Sequence, residues 1–343
     1  MSLPHLFAPL TIRAVSFRNR IGVSPMCQYS AVEGFVNDWH LVHLGSRAAG
    51  GAGLVLTEAA SVDPRGRISP ADLGIWDDQH VPGLQRVAAF IRAQGATAGI
   101  QLAHAGRKAS TAPPWEGGAA VPPDHGGWQP VAPTAEPFDS GSPVPHALDR
   151  DGILDVVAAF RRAAARARAA GFQVVEIHAA HGYLIHEFLS PLTNRRTDEF
   201  GGDHERRSRI HMEVLAAVRR RAGADFPVFV RLGMHDERPG GLTLAPACVM
   251  AAQLVSAGAS LIDVSGGLAG SDDPGRGPGY FVGYAEALKA VVDVPVLVAG
   301  GIADPRMADL IIRSRRADIV GVGRAMLDDP GWTRGAAAAL GQA

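Results

Sequence analysis

Short apolar runs alternate with longer amphipathic stretches along most of the chain. Each run is rich in Val, Ile and Leu, which is typical of strands buried on both faces of a parallel sheet. Eight runs are predicted to be strands: 21–26, 53–58, 98–102, 174–178, 228–231, 261–264, 296–299 and 318–322. Helical stretches lie between them, such as 151–170, 205–222 and 245–257. The first of these begins near Asp151 and ends at Gly171, in keeping with the polar start and glycine stop of helices.

Strands that alternate with helices predict a parallel sheet, and eight strands are the number that closes a barrel. An open doubly wound sheet would instead need a glycine-rich dinucleotide fingerprint after its first strand. The residues there are Ser24-Pro25-Met26-Cys27, which are not such a fingerprint. We therefore predict an α/β fold, a single-domain (β/α)8 TIM barrel over residues 1–343. Two short segments within 1–20, around 10–12 and 16–18, are predicted to form a small hairpin before the barrel.

Residues 111–147 interrupt the alternation, because they contain nine Pro and five Gly and show no periodicity. A loop of this length inside a compact domain is either functional or disordered. This one follows the third predicted strand, so it lies on the face where barrels build their active sites. We expect it to cover the site.

Composition excludes several functional classes. The 343 residues carry a net charge of −1 with a pI near 6.9, which gives no electrostatic case for binding nucleic acid or a membrane surface. Two cysteines, Cys27 and Cys248, cannot build a disulfide framework. No charged-then-apolar leader precedes the first strand, and no apolar run reaches the roughly 18 residues of a membrane helix. We expect a soluble, cytoplasmic enzyme.

Three hydrogen-bonding side chains, His178, His181 and Tyr183, follow the fourth predicted strand within six residues. At neutral pH a phenol keeps its proton, while imidazoles donate hydrogen bonds without full charge. This combination suits polarisation of a carbonyl oxygen and delivery of a proton. One alternative is a helix start with structural histidines. Another is a metal site from the H-x-x-H spacing, but catalytic zinc needs three protein ligands and the sequence offers no third.

Other strand ends also present polar side chains. The first strand leads to Cys27 and Tyr29, the third contains Gln101, and the fifth ends in Arg231. A surface role for Arg231 is disfavoured, since the preceding strand should be buried. Gln101 fits an ordinary structural polar residue as well as it fits a ligand contact.

The seventh and eighth strands end in glycines, at Gly300, Gly301 and Gly323, with Arg324 following. Glycine lets the backbone approach a ligand and donate N–H groups, and barrels commonly bind phosphate at these two loops. Tight strand-to-helix turns are the alternative interpretation. A phosphate site combined with Gln101, Arg231 and the histidine–tyrosine cluster fits a large planar phosphorylated ligand, and flavin mononucleotide (FMN) has that form.

Motifs along nearly the whole chain resemble the old yellow enzyme family of flavin-dependent ene-reductases. Within it, the resemblance is to the thermophilic-like subclass, which includes bacterial xenobiotic reductases. The matching segments are 18–21, 24–29, 66–68, 74–76, 101–108, 176–184, 196–198, 200–202 and 323–324.

The resemblance implies a cofactor site, a reductant and a substrate class. FMN would touch Ser24, Pro25, Met26, Cys27, Ala59, Gln101 and Arg231, with its phosphate near Gly300, Gly301, Gly323 and Arg324. NADPH, or less often NADH, would reduce the flavin. An electron-poor alkene would then bind with its carbonyl or nitro oxygen held by His178 and His181. Tyr183 would protonate the alkene, and Tyr29 would line the substrate pocket.

The resemblance also implies a homo-oligomer, either a dimer or a tetramer. Similar proteins continue beyond the last helix with a tail that bears an arginine and an aromatic residue and reaches a neighbouring active site. This chain ends at Ala343, so we expect either a more open pocket or a replacement of the tail by 111–147.

Three rival functions are weighed against this one. Oxidative demethylase or dienoyl-CoA reductase relatives carry an iron–sulfur cluster, for which two cysteines are too few. A flavin-free sugar-phosphate aldolase needs a Schiff-base lysine, and neither Lys108 nor Lys289 lies at a predicted strand end. The third rival, a flavin carrier without turnover, is disfavoured by the intact cluster of His178, His181 and Tyr183.

Overall fold

Eight parallel strands close a barrel in the computed structural model, which describes residues 5–270 and 276–342. The strands are β1 (Leu10–Ile12), β2 (Val15–Phe17), β3 (Ile21–Val23), β4 (Leu54–Ser61), β5 (Thr97–Ala103), β6 (Val131–Ala132), β7 (His146–Ala147), β8 (Val174–Ala179), β9 (Val228–Gly233), β10 (Leu261–Ser265), β11 (Val296–Val298) and β12 (Ile319–Val322). The barrel runs β3-β4-β5-β8-β9-β10-β11-β12 and closes from β12 back to β3. The predicted (β/α)8 barrel is confirmed, and each predicted run overlaps one of its strands. Residues 1–4, 271–275 and 343 of the predicted domain lie outside the described residues.

Helices follow the strands, as the amphipathic stretches predicted. They are α1 (Asp38–Ala49), α2 (Val81–Ala93), α3 (Arg150–Ala169), α4 (Leu184–Leu189), α5 (His204–Ala222), α6 (Leu244–Ser256), α7 (Val282–Lys289), α8 (Pro305–Arg313), α9 (Arg324–Asp328) and α10 (Trp332–Ala339). Asp149 caps the start of α3, and Gly171 beyond its end has a φ of +82°, which favours glycine. Within the described ranges, no helix combines the length and the apolar character that crossing a membrane requires.

The two largest differences from the predicted strand boundaries, of three residues each, lie at the carboxyl end of the barrel. β3 ends at Val23, three residues before the predicted end, because Pro25 has no N–H for the strand ladder. β4 extends to Ser61, with an irregular register between Leu56 and Ala59. These changes leave the residues from Ser24 onward in a loop above the barrel.

The interior of the barrel is a small apolar core, separate from the larger one between strands and helices. Its members from the barrel strands are Leu54, Leu56, Val174, Phe229, Leu261, Leu297 and Ile319. The predicted hairpin is present as β1 and β2, which pair antiparallel. Its Ile12 and Phe17 join this core, and the Phe17 and Phe229 rings lie 6.3 Å apart between centroids. The hairpin thus covers the amino end of the barrel, opposite the carboxyl end where the predicted site residues lie.

The long loop 111–147 has defined local structure. Two short 3-10 turns, Pro114–Glu116 and Pro123–His125, precede a parallel pairing of β6 with β7. The Trp128 indole N–H donates to the Arg65 carbonyl at 2.7 Å, and the Arg67 guanidinium lies 4.5 Å from the Trp128 ring. These contacts hold the loop against the segment that follows β4.

Candidate active site

His178, His181 and Tyr183 converge at the end of β8. His178 lies inside the strand, while His181 and Gly182 have φ values of +62° and +69°. This left-handed backbone folds the chain back between β8 and α4 and brings the three rings together. The His178 centroid is 4.9 Å from that of His181 and 5.0 Å from that of Tyr183, with nearly perpendicular ring planes.

The two imidazoles are neutral hydrogen-bond donors. Burial lowers the pKa of His178 and of His181 well below the usual value, and the nearby charge of Arg231 adds to the effect. His178 Nδ1 accepts the backbone N–H of Ala180 at 3.2 Å, so the ring proton resides on Nε2. Burial also raises the pKa of Tyr183 well above its ordinary value, so the phenol is protonated at neutral pH.

Ser265, at the end of β10, fixes the ring of His181. Its Oγ lies 2.6 Å from His181 Nε2 and accepts a hydrogen bond from Arg231 Nη2 at 3.3 Å. The sequence analysis missed Ser265 because its predicted strand ended one residue earlier, at Val264. An apolar strand followed by a serine at a barrel strand end was the available signal.

Lys108 is a second residue that the sequence analysis did not place at the site. Its ammonium donates to the His181 carbonyl at 2.6 Å and lies 5.4 Å from the centroid of the Tyr183 ring. Burial lowers the pKa of Lys108 to about 8. Its position in the turn after β5, which carries no strand signal, concealed this role.

The long loop encloses a cavity of about 630 Å³ beside Tyr183. Tyr29, Lys108 and Tyr183 line one side of the cavity, and residues of 111–143 line the other. The rings of Tyr29 and Trp115 meet edge to face at 5.5 Å. A ligand in this space would therefore contact the predicted proton donor and the predicted pocket residue Tyr29.

A second cavity, of about 460 Å³, lies over the carboxyl end of the barrel. Eight of the predicted cofactor residues line it: Ser24, Pro25, Met26, Arg231, Gly300, Gly301, Gly323 and Arg324. The buried hydroxyl of Ser24 has no hydrogen-bond partner among the described residues, so a ligand can supply one. Gly300 and Gly301 have φ values of +110° and +66°, and a Cβ on Gly300 would lie 2.9 Å from the Tyr280 ring. Exposed glycine backbone beside a guanidinium suits a phosphate.

Three predicted cofactor residues, Cys27, Ala59 and Gln101, are not in the lining of that cavity. Gln101 is almost fully buried, and its amide donates to Glu176 Oε1 at 2.8 Å. Ala59 lines a small cavity shared with Tyr183. Burial raises the pKa of the Cys27 thiol well above its ordinary value, so the thiol is protonated rather than nucleophilic.

Buried carboxyls surround Arg231 and balance its charge. Arg231 Nε lies 3.5 Å from Asp263 Oδ2, in the residue pair that the strand register aligns. Glu176 lies within reach of Asp263, and burial raises the pKa of both acids. One carboxylate therefore neutralises the guanidinium while the other acid keeps its proton. Within 5–270 and 276–342, no three His, Cys, Asp or Glu side chains converge as a metal site would require.

Comparison with known proteins identifies relatives along the entire barrel. A family model described as NADH:flavin oxidoreductase / NADH oxidase matches residues 5–342. The NADPH dehydrogenase of Bacillus velezensis is 42% identical over 337 residues, which cover 98% of this chain and 95% of that protein.

Solved structures share the architecture. Morphinone reductase in complex with tetrahydroNAD superposes with a TM-score of 0.82 at 29% identity, over 99% of this chain and 92% of that chain. A 2-naphthoyl-CoA reductase in complex with 2-naphthoyl-CoA superposes with a TM-score of 0.88 at 28% identity. The match covers 98% of this chain but 52% of the reductase, so this chain spans about half of that larger protein.

Proposed function

The chain belongs to the NADH:flavin oxidoreductase / NADH oxidase family, and from that premise we propose that it is an ene-reductase. It reduces the C=C bond of α,β-unsaturated carbonyl or nitro compounds, with NADPH or NADH as the reductant. The observation that carries this proposal is the cluster of two neutral imidazoles and a protonated phenol beside a cavity large enough for a small alkene.

FMN is the cofactor that the family and the cavity above the barrel support. Ser24, Arg231 and the backbone after Pro25 would hold the ring system, and Gly300, Gly301, Gly323 and Arg324 would hold the phosphate. Cys27, Ala59 and Gln101 remain predicted cofactor contacts, from positions outside this lining. When bound, FMN supplies the two-electron chemistry that couples NAD(P)H oxidation to alkene reduction.

The residues of the chain orient the alkene and supply its proton. The carbonyl or nitro oxygen accepts hydrogen bonds from His178 and His181, and these donors stabilise the negative charge that develops there during reduction. The phenol of Tyr183 then protonates the α-carbon. Lys108, close to the Tyr183 ring, stabilises the phenolate that remains.

The first test is the visible absorption spectrum of the purified protein under anaerobic conditions. A yellow protein that bleaches with NADPH and regains its colour with cyclohexenone supports cofactor, reductant and substrate class together. A protein that is colourless and stays colourless after FMN is added contradicts the proposal.

The second test is Tyr183→Phe. We expect flavin reoxidation by cyclohexenone to slow by about 100-fold or more, as for loss of a general acid, while reduction by NADPH continues at a similar rate. Stopped-flow absorbance measures the two half-reactions separately. Tyr284→Phe removes a hydroxyl that donates to Glu237 and is the matched control. An equal loss in both half-reactions would show that Tyr183 is not the proton donor.

Assembly and location stay predictions from the sequence. We expect a homo-oligomer, and sedimentation of the purified holoenzyme measures its subunit number. We also expect a cytoplasmic protein, which cell fractionation tests.

A further inference from the structure

A second, small cavity lies next to Tyr183 and shares Tyr183 and Ile68 with the lining of the large one. Its volume of about 10 Å³ matches the roughly 10–15 Å³ in which one water molecule can be held. The residues that line it are Ala59, Ser61, Gly66, Ile68, Asp72, Ala103, Ala105 and Tyr183. Tyr183 therefore lines both cavities, and the polar side chains of the small one are Ser61, Asp72 and Tyr183.

Asp72 has one oxygen committed to the fold and one that is not. Oδ2 accepts the backbone N–H of Ile68 at 2.6 Å. Oδ1 is buried and has no hydrogen-bond partner among the described residues, and the side chain is 2% exposed. Buried carboxyl oxygens without a partner are rare, and an ordered water commonly satisfies them.

The polar lining can hold such a water. Ser61 Oγ donates its proton to the Asp63 carbonyl at 2.6 Å, which leaves its lone pairs to accept. With Asp72 Oδ1 and the Tyr183 hydroxyl this gives three polar partners, the usual number for a buried water.

We propose that Asp72 is a positioning residue for proton donation: through one water in this cavity, its neutral carboxylic acid donates a hydrogen bond to the Tyr183 oxygen. This rests on the proposed function of Tyr183. During the step the Tyr183 O–H bond breaks, the α-carbon–hydrogen bond forms, and the electron pair stays on the phenolate oxygen. The water-mediated hydrogen bond stabilises that oxygen until solvent reprotonates it after the product leaves.

The protonation of Asp72 gives this role a pH dependence. Burial raises the pKa of Asp72 to about 8, so the acid is neutral at pH 7 and can donate. Above about pH 8 it becomes an anion, which raises the pKa of Tyr183 and opposes formation of the phenolate. The charged and titratable groups that interact electrostatically with Asp72 are Cys27, Tyr29, Glu58, Arg67 and Tyr183.

Lys108 also has a pKa of about 8, so the test is made in a Lys108→Met background. Reduced holoenzyme is mixed with cyclohexenone, and flavin reoxidation is followed by stopped-flow between pH 6 and 10. We expect the Lys108→Met rate to fall above about pH 8. Adding Asp72→Asn should remove that fall, because the amide is a neutral donor that cannot ionise, whereas adding Asp72→Ala, which has no donor, should slow the reaction several-fold at pH 7. If the reoxidation rate of the Asp72→Asn, Lys108→Met double variant decreases with the same size and the same midpoint pH as that of Lys108→Met, the proposal is overturned.

Asp63→Asn is the matched control in the same segment. Burial alone would raise the pKa of Asp63, but its hydrogen bonds with Arg65 keep that pKa below the ordinary value, so it does not titrate near pH 8. In this variant the reoxidation rate should still decrease above about pH 8. If the decrease disappears here too, any disturbance of the segment abolishes it, which contradicts the proposal.

A Tyr183→Phe background distinguishes failure of the proton-donor role of Tyr183 from failure of the positioning role of Asp72. If Tyr183→Phe itself reoxidises at the wild-type rate, the proton-donor assignment fails and the role of Asp72 fails with it. If Tyr183→Phe is slow and Asp72→Ala, which removes the donor, changes it no further, Asp72 acts through Tyr183 as proposed. A further several-fold loss from Asp72→Ala would show that Asp72 acts elsewhere.

Infrared spectroscopy tests the protonation without kinetics. Other buried acids such as Glu187 are also protonated at pH 7, so the measurement is the difference between the wild-type and Asp72→Asn spectra. At pH 7 this difference should contain a carboxylic-acid carbonyl band, which should disappear above about pH 8. If the difference at pH 7 contains no carboxylic-acid band, Asp72 is ionised and the proposal is wrong.

Discussion

The ring of His181 is held by residues that lie far from it in the chain. Ser265, 84 positions away, contacts its Nε2, and Lys108, 73 positions away, donates to its carbonyl. The backbone of His181 is left-handed, a conformation that costs a non-glycine residue free energy and that surrounding contacts must stabilise. The donor geometry at the candidate site is therefore a tertiary property, although the residue types are local.

Ser265→Ala tests this support. Without the hydroxyl the His181 ring loses its orienting partner, so we expect kcat/KM for cyclohexenone to fall by about tenfold, in line with the roughly 1–2 kcal/mol of a buried hydrogen bond. Steady-state kinetics with NADPH measures the change. Ser260→Ala, just before the other end of β10, is the control. Wild-type kcat/KM in Ser265→Ala would mean that His181 needs no such support.

At the scale of elements, the hairpin of β1 and β2 closes the barrel. Its strands are only three residues long, too short for a stable hairpin by themselves, and they are fixed because Ile12 and Phe17 enter the barrel core. The sequence predicted the hairpin from two short segments but did not predict which end of the barrel it covers. That follows only once the strands are arranged in space.

Phe17→Ala measures the contribution of this closure. The side chain is 1% exposed and packs against Phe229, so its loss leaves a cavity and should reduce the free energy of unfolding by about 3–5 kcal/mol. Urea denaturation at pH 7 gives the value. Ser16→Ala removes an exposed hydroxyl of the same strand and should change stability by less than about 0.5 kcal/mol. Equal effects of the two substitutions would contradict the closing role.

Across the whole molecule, several buried acids stay protonated in the folded state. Burial raises the pKa of Asp72 and of Glu187 to about 8, and the pair of Glu176 and Asp263 is also shifted upward. An unfolded carboxyl has a pKa of about 4, so unfolding at neutral pH releases these protons. The contribution of these protonated acids to the free energy of unfolding is fully present below about pH 4 and declines as the pH rises to about 8.

Glu187→Gln isolates one such acid. The wild type loses about 1.4 kcal/mol per pH unit through Glu187 between roughly pH 5 and pH 8, whereas the amide has no proton to release. We therefore expect the unfolding free energy of the variant to decline less steeply over this range. Urea titrations at several pH values give the slopes, with the partly exposed Glu199→Gln as control. Parallel slopes for Glu187→Gln and wild type would show that Glu187 is ionised in the folded protein.

The sequence by itself determined the fold class and most of the candidate site. Apolar runs and helical periods are local signals, and parallel strands present their carboxyl ends to one face, so residues at strand ends such as His178 and Arg231 could be grouped from their positions alone. The glycines after the last two strands were found in the same way.

Only the tertiary structure decided what surrounds each of these residues. Ser265 and Lys108 contact the cluster, and Asp72 lines a cavity together with Tyr183. They come from three different segments, and none of these positions carries a local pattern that distinguishes it. Gln101 fitted two interpretations, and the structure shows that its amide donates to Glu176. Protonation also depends on burial, which is a sum over contacts from distant parts of the chain. For this reason the shifted pKa values of His178, Asp72 and Tyr183 become visible only in the folded molecule.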